Sequence, residues 1–140
     1  MAEKMKIRNY KPEDYEELKK LLEICELFDK SYDKKEKFDN KKPKGSIIIC
    51  EEDNKIIGCV IFTYDGWDSS IYRLCVHPHY RRKNLGTRLL KEAEKRLKKL
   101  RADVCQLGFK INEKDKEKFY KKMGYYGRFG PYIWMEKKLK

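Results

Sequence analysis

The residues best placed to do chemistry lie in Val76–Leu90, VHPHYRRKNLGTRLL. The stretch reads as a strand end, a basic loop and the start of a helix. A helix N-terminus presents unpaired backbone N–H groups and a partial positive charge. Asn84 and Gly86 permit backbone conformations that aim successive N–H groups at one point. Arg81, Arg82, Lys83 and Arg88 surround that point. Such a construction holds an anion and suits a pyrophosphate. The alternative is a strand–helix connection with a solvated basic loop.

Other reactive types carry less. Cys75, His77 and His79 alternate like metal ligands, but Pro78 interrupts them and no fourth ligand is apparent, so no metal is expected. Cys75 reads as a small core hydrophobe, not a nucleophile. Cys25, Cys50, Cys59, Cys75 and Cys105 are odd in number and form no CxxC pair. That is the pattern of reduced, cytosolic thiols, and it places the chain in the cytoplasm.

These residues must be positioned by a single domain, residues 1–140. Charged residues make up 41% of the chain, enough to suggest disorder, but two Trp, ten Tyr, six Phe and dense Ile, Leu and Val clusters argue for a packed fold. No apolar run approaches the ~20 residues a bilayer needs, so a membrane partner is excluded. The N-terminus is charged and has no apolar signal segment. The net charge is +12, and its whole excess lies in residues 71–140, with 21 Lys and Arg against 7 Asp and Glu. That half is expected to meet a polyanion, either nucleic acid or a phosphate-rich ligand. The basic helix lacks the interleaved aromatics of a nucleic-acid site, so nucleic acid is the weaker of the two.

Pattern gives the elements. Met5–Asn9 reads as a strand. Pro12 opens a helix running to about Leu27 with Tyr15, Leu18, Leu21, Leu22 and Cys25 on one face. Residues 29–44 read as a short helix or a loop. Ser46–Glu52 and Lys55–Tyr64 form a hairpin across Asp53-Asn54, and Ser69–Val76 follows the Asp65-Gly66 turn. Leu85–Leu100 is an amphipathic helix. Val104–Ile111 is a strand, Lys114–Met123 a helix, and Gly124 its C-terminal cap. Tyr125–Phe129 and Tyr132–Lys138 read as a last pair of strands. The class is α/β, a mixed sheet in the order β-α-(α)-β-β-β-α-β-α-β-β.

The loop V-x-P-x-x-R-R-K-N-x-G resembles the acetyl-CoA loop of the GCN5-related N-acetyltransferases (GNAT family), written Q/R-x-x-G-x-G/A. Arg81 fills the Q/R position, Gly86 the last Gly, and Asn84 replaces the first Gly. Phe119-Tyr120-Lys121-Lys122-Met123-Gly124-Tyr125 is similar to the family's F-Y-x-K-x-G-F signature. The element order matches too, and Tyr64-Asp65-Gly66 with Ser70-Ile71-Tyr72 is similar to an uncharacterised bacterial subgroup. The resemblance covers nearly the whole chain. It implies a GNAT-like fold with a splay between the fourth and fifth strands, and transfer of an acetyl group from acetyl-CoA to a primary amine by direct attack in a ternary complex. A CoA-binding module without catalysis is the alternative, and a nucleic-acid-binding domain a more distant one.

The resemblance also implies roles. The backbone of Leu74 and Val76 binds the pantetheine arm, and the Leu74 N–H acts as oxyanion donor. The pyrophosphate sits on the backbone from Arg82 through Lys83, Asn84, Leu85 and Gly86 to Thr87. Tyr120 is the general acid for the CoA thiolate. Asn112 contacts the CoA arm, although it lies eight residues before Tyr120 where the family spacing is seven. The family's frequent base position, six before Val76, is Ser70, which can hold only a water. Plain strand alternation would put Ser70, Tyr72, Leu74 and Val76 on one face. The acceptor region comprises Tyr32, Asp65, Trp67, Asp68 and Ser70, with Asp29, Asp33 and Phe28 nearby. Its carboxylates and rings suit a cationic small-molecule or peptide amine. A homodimeric partner is compatible with this reading.

Overall fold

The computed structural model describes residues 5–127 and 135–139, with residues 82 and 83 described through their backbone. Contacts divide the chain into two compact units, Met1–Gly108 and Phe109–Lys140.

The first unit is built on a four-stranded antiparallel sheet in the order β1-β2-β3-β4. The strands are β1 (Met5–Asn9), β2 (Ile47–Glu52), β3 (Lys55–Tyr64) and β4 (Ser69–Val76). Pro12–Asp14 forms a 3₁₀ turn that leads into α1 (Tyr15–Ile24). α1 stops three residues short of Leu27, and Glu26 takes a positive φ of 59° just beyond it. The region 29–44 contains α2 (Lys35–Asp39), anchored by the buried Phe38. The turn residues Asp53 and Asn54 have φ of 49° and 65°, the left-handed pair a two-residue hairpin requires.

Two apolar layers cover the sheet. Leu18, Leu21 and Leu22 of α1 pack with Ile47, Ile49, Cys59, Ile61 and Cys75 on one face. Alternation sends Ile48, Val60 and Phe62 to the other face. There α3 (Leu85–Lys99) buries Leu85, Leu89, Leu90, Ala93 and Leu97, while Leu100 at its C-cap stays exposed. Gly58 lets the helix approach, because a Cβ there would lie 3.0 Å from Leu89 Cδ1 and 3.1 Å from the Cys75 carbonyl oxygen.

Three expectations are corrected. Cys25 and Cys75 form a disulfide, 50 residues apart in sequence, so the thiols are not all reduced. Their Cα atoms lie 6.4 Å apart because α1 ends directly over β4, within the range a bridge can span. The expected strand Val104–Ile111 reduces to one parallel bridge, Ser70 with Gln106. β4 carries an extra residue, Tyr72, because Ile61 pairs with Arg73 and Phe62 with Ile71. Paired residues share a face. Ser70 pairs with Thr63 and shares the α1 face with Arg73 and Cys75, whereas Leu74, paired with Val60, faces α3. The expected common face of Ser70 and Leu74 is therefore broken by the bulge.

The second unit contains α4 (Lys114–Lys122), capped as expected by Gly124 at φ 96°. Residues 128, 129 and 132–134 of the expected last strand pair lie outside the described residues. The described parts, residues 125–127 and 135–139, carry no strand assignment.

Candidate functional site

The open edge of β4 is fixed by its hydrogen bonds. The His77 N–H donates to the Ile57 carbonyl at 2.8 Å, which extends the β3–β4 ladder one pair past Val76. In an antiparallel ladder, bonded and non-bonded pairs alternate. Val76 opposite Gly58 and Leu74 opposite Val60 are therefore non-bonded pairs, and their N–H and C=O groups point away from β3. At the other end of the strand, the Ile71 N–H donates to the Gln106 carbonyl at 2.7 Å, so Ile71 also points outward. Residues 71, 74 and 76 can all face the same edge only because Tyr72 is extra. Beyond Gln106 the chain leaves β4, with Leu107 and Gly108 outside any strand. This is the splay expected between the fourth and fifth strands.

The loop after β4 lies at the end of that edge. His77 starts a 3₁₀ helix, Pro78–Lys83, and its Nδ1 accepts the His79 N–H at 3.1 Å. Burial, then the neighbouring His79, Lys55 and Arg81, hold the His77 imidazole below its ordinary pKa. Asn84 takes a left-handed conformation, φ 57° and ψ 25°, and its carbonyl accepts the Arg88 N–H to begin α3. The N–H groups of Leu85, Gly86 and Thr87 thus start a helix that has no acidic residue in its first turn and no side-chain cap from Asn84. Leu85 is buried beneath the loop. Exposed Arg81 donates its Nε–H to the Val76 carbonyl at 3.0 Å, and its Nη2 lies 3.9 Å from Cys25 Sγ. Arg88 is exposed at the same helix start. The arrangement fits an extended amide chain ending in a diphosphate.

The acceptor residues read from sequence are each held by local contacts of their own. Asp65 is spent on its own turn, where its Oδ1 accepts the Trp67 and Asp68 N–H groups at 2.8 Å each, and these bonds hold its carboxyl below the usual range. Trp67 is 87% exposed, and Asp68 is exposed beside it. Ser70 Oγ lies 2.8 Å from Thr63 Oγ1, which ties it across the hairpin. Tyr32, half exposed in the α1–α2 connection, carries Lys37 Nζ 5.5 Å from its ring centroid. Asp33 is not an open carboxylate. It is buried, accepts the Asp29 N–H at 2.7 Å and pairs with Arg73 at 3.3 Å. Arg73 and Tyr72 were not singled out by the sequence, where an arginine inside a strand gives no signal.

In the second unit Tyr120 is 9% exposed on α4. Its ring stacks with Phe109 at 5.8 Å and meets Phe119 and Tyr125 edge-on at 5.1 and 5.8 Å. Asn112 is exposed in the turn just before Glu113, the α4 N-cap residue. Among the described residues no group of three or more His, Cys, Asp or Glu is arranged to hold a metal. His77 and His79 pack their rings edge-on, and Cys75 is bonded to Cys25. No described helix is long and apolar enough to cross a membrane.

This architecture is widely shared. The Ard1 structure from Thermoplasma volcanium superimposes with a TM-score of 0.75 at 18% identity, covering 87% of this chain and 82% of that one. Naa50 of Arabidopsis thaliana, solved with a CoA–peptide bisubstrate analogue, gives 0.71 at 22% identity over 91% and 92% of the two chains. The aminoglycoside N-acetyltransferase AAC(6')-Iy in complex with CoA gives 0.78 at 11% identity over 99% and 98%. The sequence profile of the acetyltransferase (GNAT) domain matches residues 43–126, from before β2 to just past α4. The match takes in the open edge of β4, the basic loop and Tyr120, and the chain belongs to the GNAT acetyltransferase family.

Proposed function

We propose that the chain is an acetyl-CoA-dependent N-acetyltransferase, one domain over residues 1–140, that moves an acetyl group to a primary amine within a ternary complex. The observation that carries this reading is the outward phase of Leu74 and Val76 beside the bare N-terminus of α3. The bound thioester supplies an activated acyl group. Leu74 and Val76 hold the pantetheine amides through their backbone, and the Leu74 N–H donates to the acyl oxygen as negative charge develops there. The N–H groups from Arg82 through Lys83, Asn84, Leu85 and Gly86 to Thr87 take the diphosphate, with Arg81 and Arg88 alongside. Tyr120 is the general acid that protonates the departing thiolate. Asn112 contacts the CoA arm. Tyr32, Asp65, Trp67, Asp68 and Ser70 border the acceptor entrance. Because Ser70 is no base and is bonded to Thr63, the acceptor loses its proton to water.

Calorimetric titration with acetyl-CoA, followed by thiol release measured across an amine panel, tests the reading. Binding with acceptor-dependent release supports it. The engagement of Ser70 also favours a second reading, a CoA-holding module without turnover, and binding with no release from any amine would select it.

A further inference from the structure

Arg73 is the first residue of β4 after the extra Tyr72, and its carbonyl carbon is bonded to the Leu74 nitrogen. Its guanidinium is loosely held. Nη2 lies 3.3 Å from Asp33 Oδ2 and 3.2 Å from the Tyr72 hydroxyl, and Nη1 lies 3.2 Å from the Tyr72 carbonyl oxygen. Charge-assisted bonds normally fall at about 2.7–2.9 Å. The Arg73 Nε–H is buried and has no hydrogen-bond partner among the described residues. Buried donors in native proteins are nearly always satisfied by protein, water or ligand. The Tyr72 ring centroid lies 3.9 Å from the guanidinium carbon, and the residue is 46% exposed.

The surrounding charge favours the same kind of ligand. Asp33 is already neutralised by Arg73, and Tyr32 and Tyr72 already carry Lys37 and Arg73 on their rings. The α1 face of β4 therefore offers an arginine donor rather than a free carboxylate or an empty aromatic cage. The absence of a base at Ser70 adds a separate constraint. An α-amino group, with a pKa of about 8, is far more often neutral at pH 7 than a lysine amine at about 10.4.

Resting on the acetyl-transfer reading above, we infer that Arg73 selects the acceptor by donating its Nε–H to the carbonyl or carboxylate oxygen borne beside an α-amino group. The acceptor is an α-amino acyl compound, a peptide N-terminus or an amino acid, and not a polyamine or a lysine side chain. This departs from the cationic acceptor expected from Asp29, Asp33, Asp65, Asp68 and the neighbouring rings, because Asp33 is paired with Arg73 and the Tyr32 and Phe28 rings already carry Lys37 and Lys19.

Turnover is compared for glycinamide, a short peptide with a free N-terminus, glycine, spermidine and an Nα-blocked lysine peptide at saturating acetyl-CoA. The first three are expected to lead in kcat/KM by at least about tenfold, and glycine against glycinamide separates carboxylate from carbonyl recognition. Arg73→Lys keeps the charge facing Asp33 but loses the planar fork. It should raise KM for the leading acceptors about tenfold, with kcat and the acetyl-CoA Kd changing less than about twofold. A preference for spermidine or blocked lysine, or an unchanged acceptor KM in the variant, overturns the inference. If Arg73→Lys does not fold, the order of acceptors in the wild type decides alone. If no amine turns over, the acetyl-transfer reading falls, and titration of glycinamide into the CoA complex then decides the inference: binding lost in Arg73→Lys supports it, and no binding or equal binding overturns it.

Discussion

Arg81 donates its Nε–H to the carbonyl oxygen of Val76 at 3.0 Å, joining the basic loop to the last outward-facing residue of β4. The guanidinium is thereby partly committed to the protein. In the proposed function the diphosphate contact then rests chiefly on backbone N–H groups at the start of α3.

Gly86→Val tests that backbone contact. The added bulk in the first turn of α3 should weaken acetyl-CoA binding by more than about tenfold, or about 1.4 kcal/mol. Titration calorimetry measures it, and an affinity within about twofold of wild type rejects the loop assignment.

Tyr120→Phe keeps the ring and its stacking on Phe109 while removing the proposed acid. The expected result is a kcat about 10²-fold lower with an unchanged acetyl-CoA Kd. An unchanged kcat, where chemistry limits turnover, removes Tyr120 from the mechanism.

His77 makes the loop sensitive to acid. Its Nδ1 accepts the His79 N–H only when unprotonated there, and burial lowers its pKa in the folded chain. A base whose folded pKa is lowered stabilises the fold above its unfolded value, ~6.5, and loses that contribution as pH falls through the lower folded value. Acetyl-CoA affinity should therefore hold at the ordinary imidazole pKa, ~6.5, and decline only as the pH falls through the lower folded value. In His77→Asn the side-chain oxygen replaces Nδ1 as acceptor, and the decline should flatten. A slope identical to wild type would mean that another group titrates.

Gly58→Ala would place a Cβ against Leu89 Cδ1 and the Cys75 carbonyl. The carbonyl belongs to the sheet and cannot give way cheaply. Thermal melts should show a loss of about 1–3 kcal/mol.

Cys25→Ser removes the bridge between the end of α1 and β4. Closing a chain loop of this size is typically worth about 2–4 kcal/mol. The variant should melt lower in the absence of reductant, and the gap should close when dithiothreitol is added to both proteins. Coincident melts without reductant would mean that the bridge contributes nothing.

The legible parts of the fold were those whose signal is local. Asn84 and Gly86 mark the loop by type and spacing, the leucines of α3 mark its buried face, and Asp53-Asn54 marks its turn. What escaped depends on partners far along the chain. Cys25 and Cys75 are 50 residues apart and belong to no motif. Asp33 and Arg73 are separated by 40 residues, so a loop aspartate looked open when it is buried. Val104–Ile111 has strand-like residues, yet among the described residues its one bridge to β4 is Gln106 with Ser70. The bulge was invisible, since Tyr72-Arg73-Leu74 reads like any strand.

That bulge gives β4 two halves in opposite phase, joined at Tyr72. Tyr72 is the one residue of the strand that the pairing with β3 does not use. Tyr72→Ala alters one half-exposed ring and leaves the count intact. Deleting Tyr72 would close the bulge and leave Ile71 opposite Phe62, Arg73 opposite Ile61 and Leu74 opposite Val60, so the faces of the strand and the outward phase of Leu74 and Val76 would survive. In grafting, recombination or the alignment of distant relatives, Tyr72 is therefore the position of β4 where a one-residue gap disturbs the ladder least.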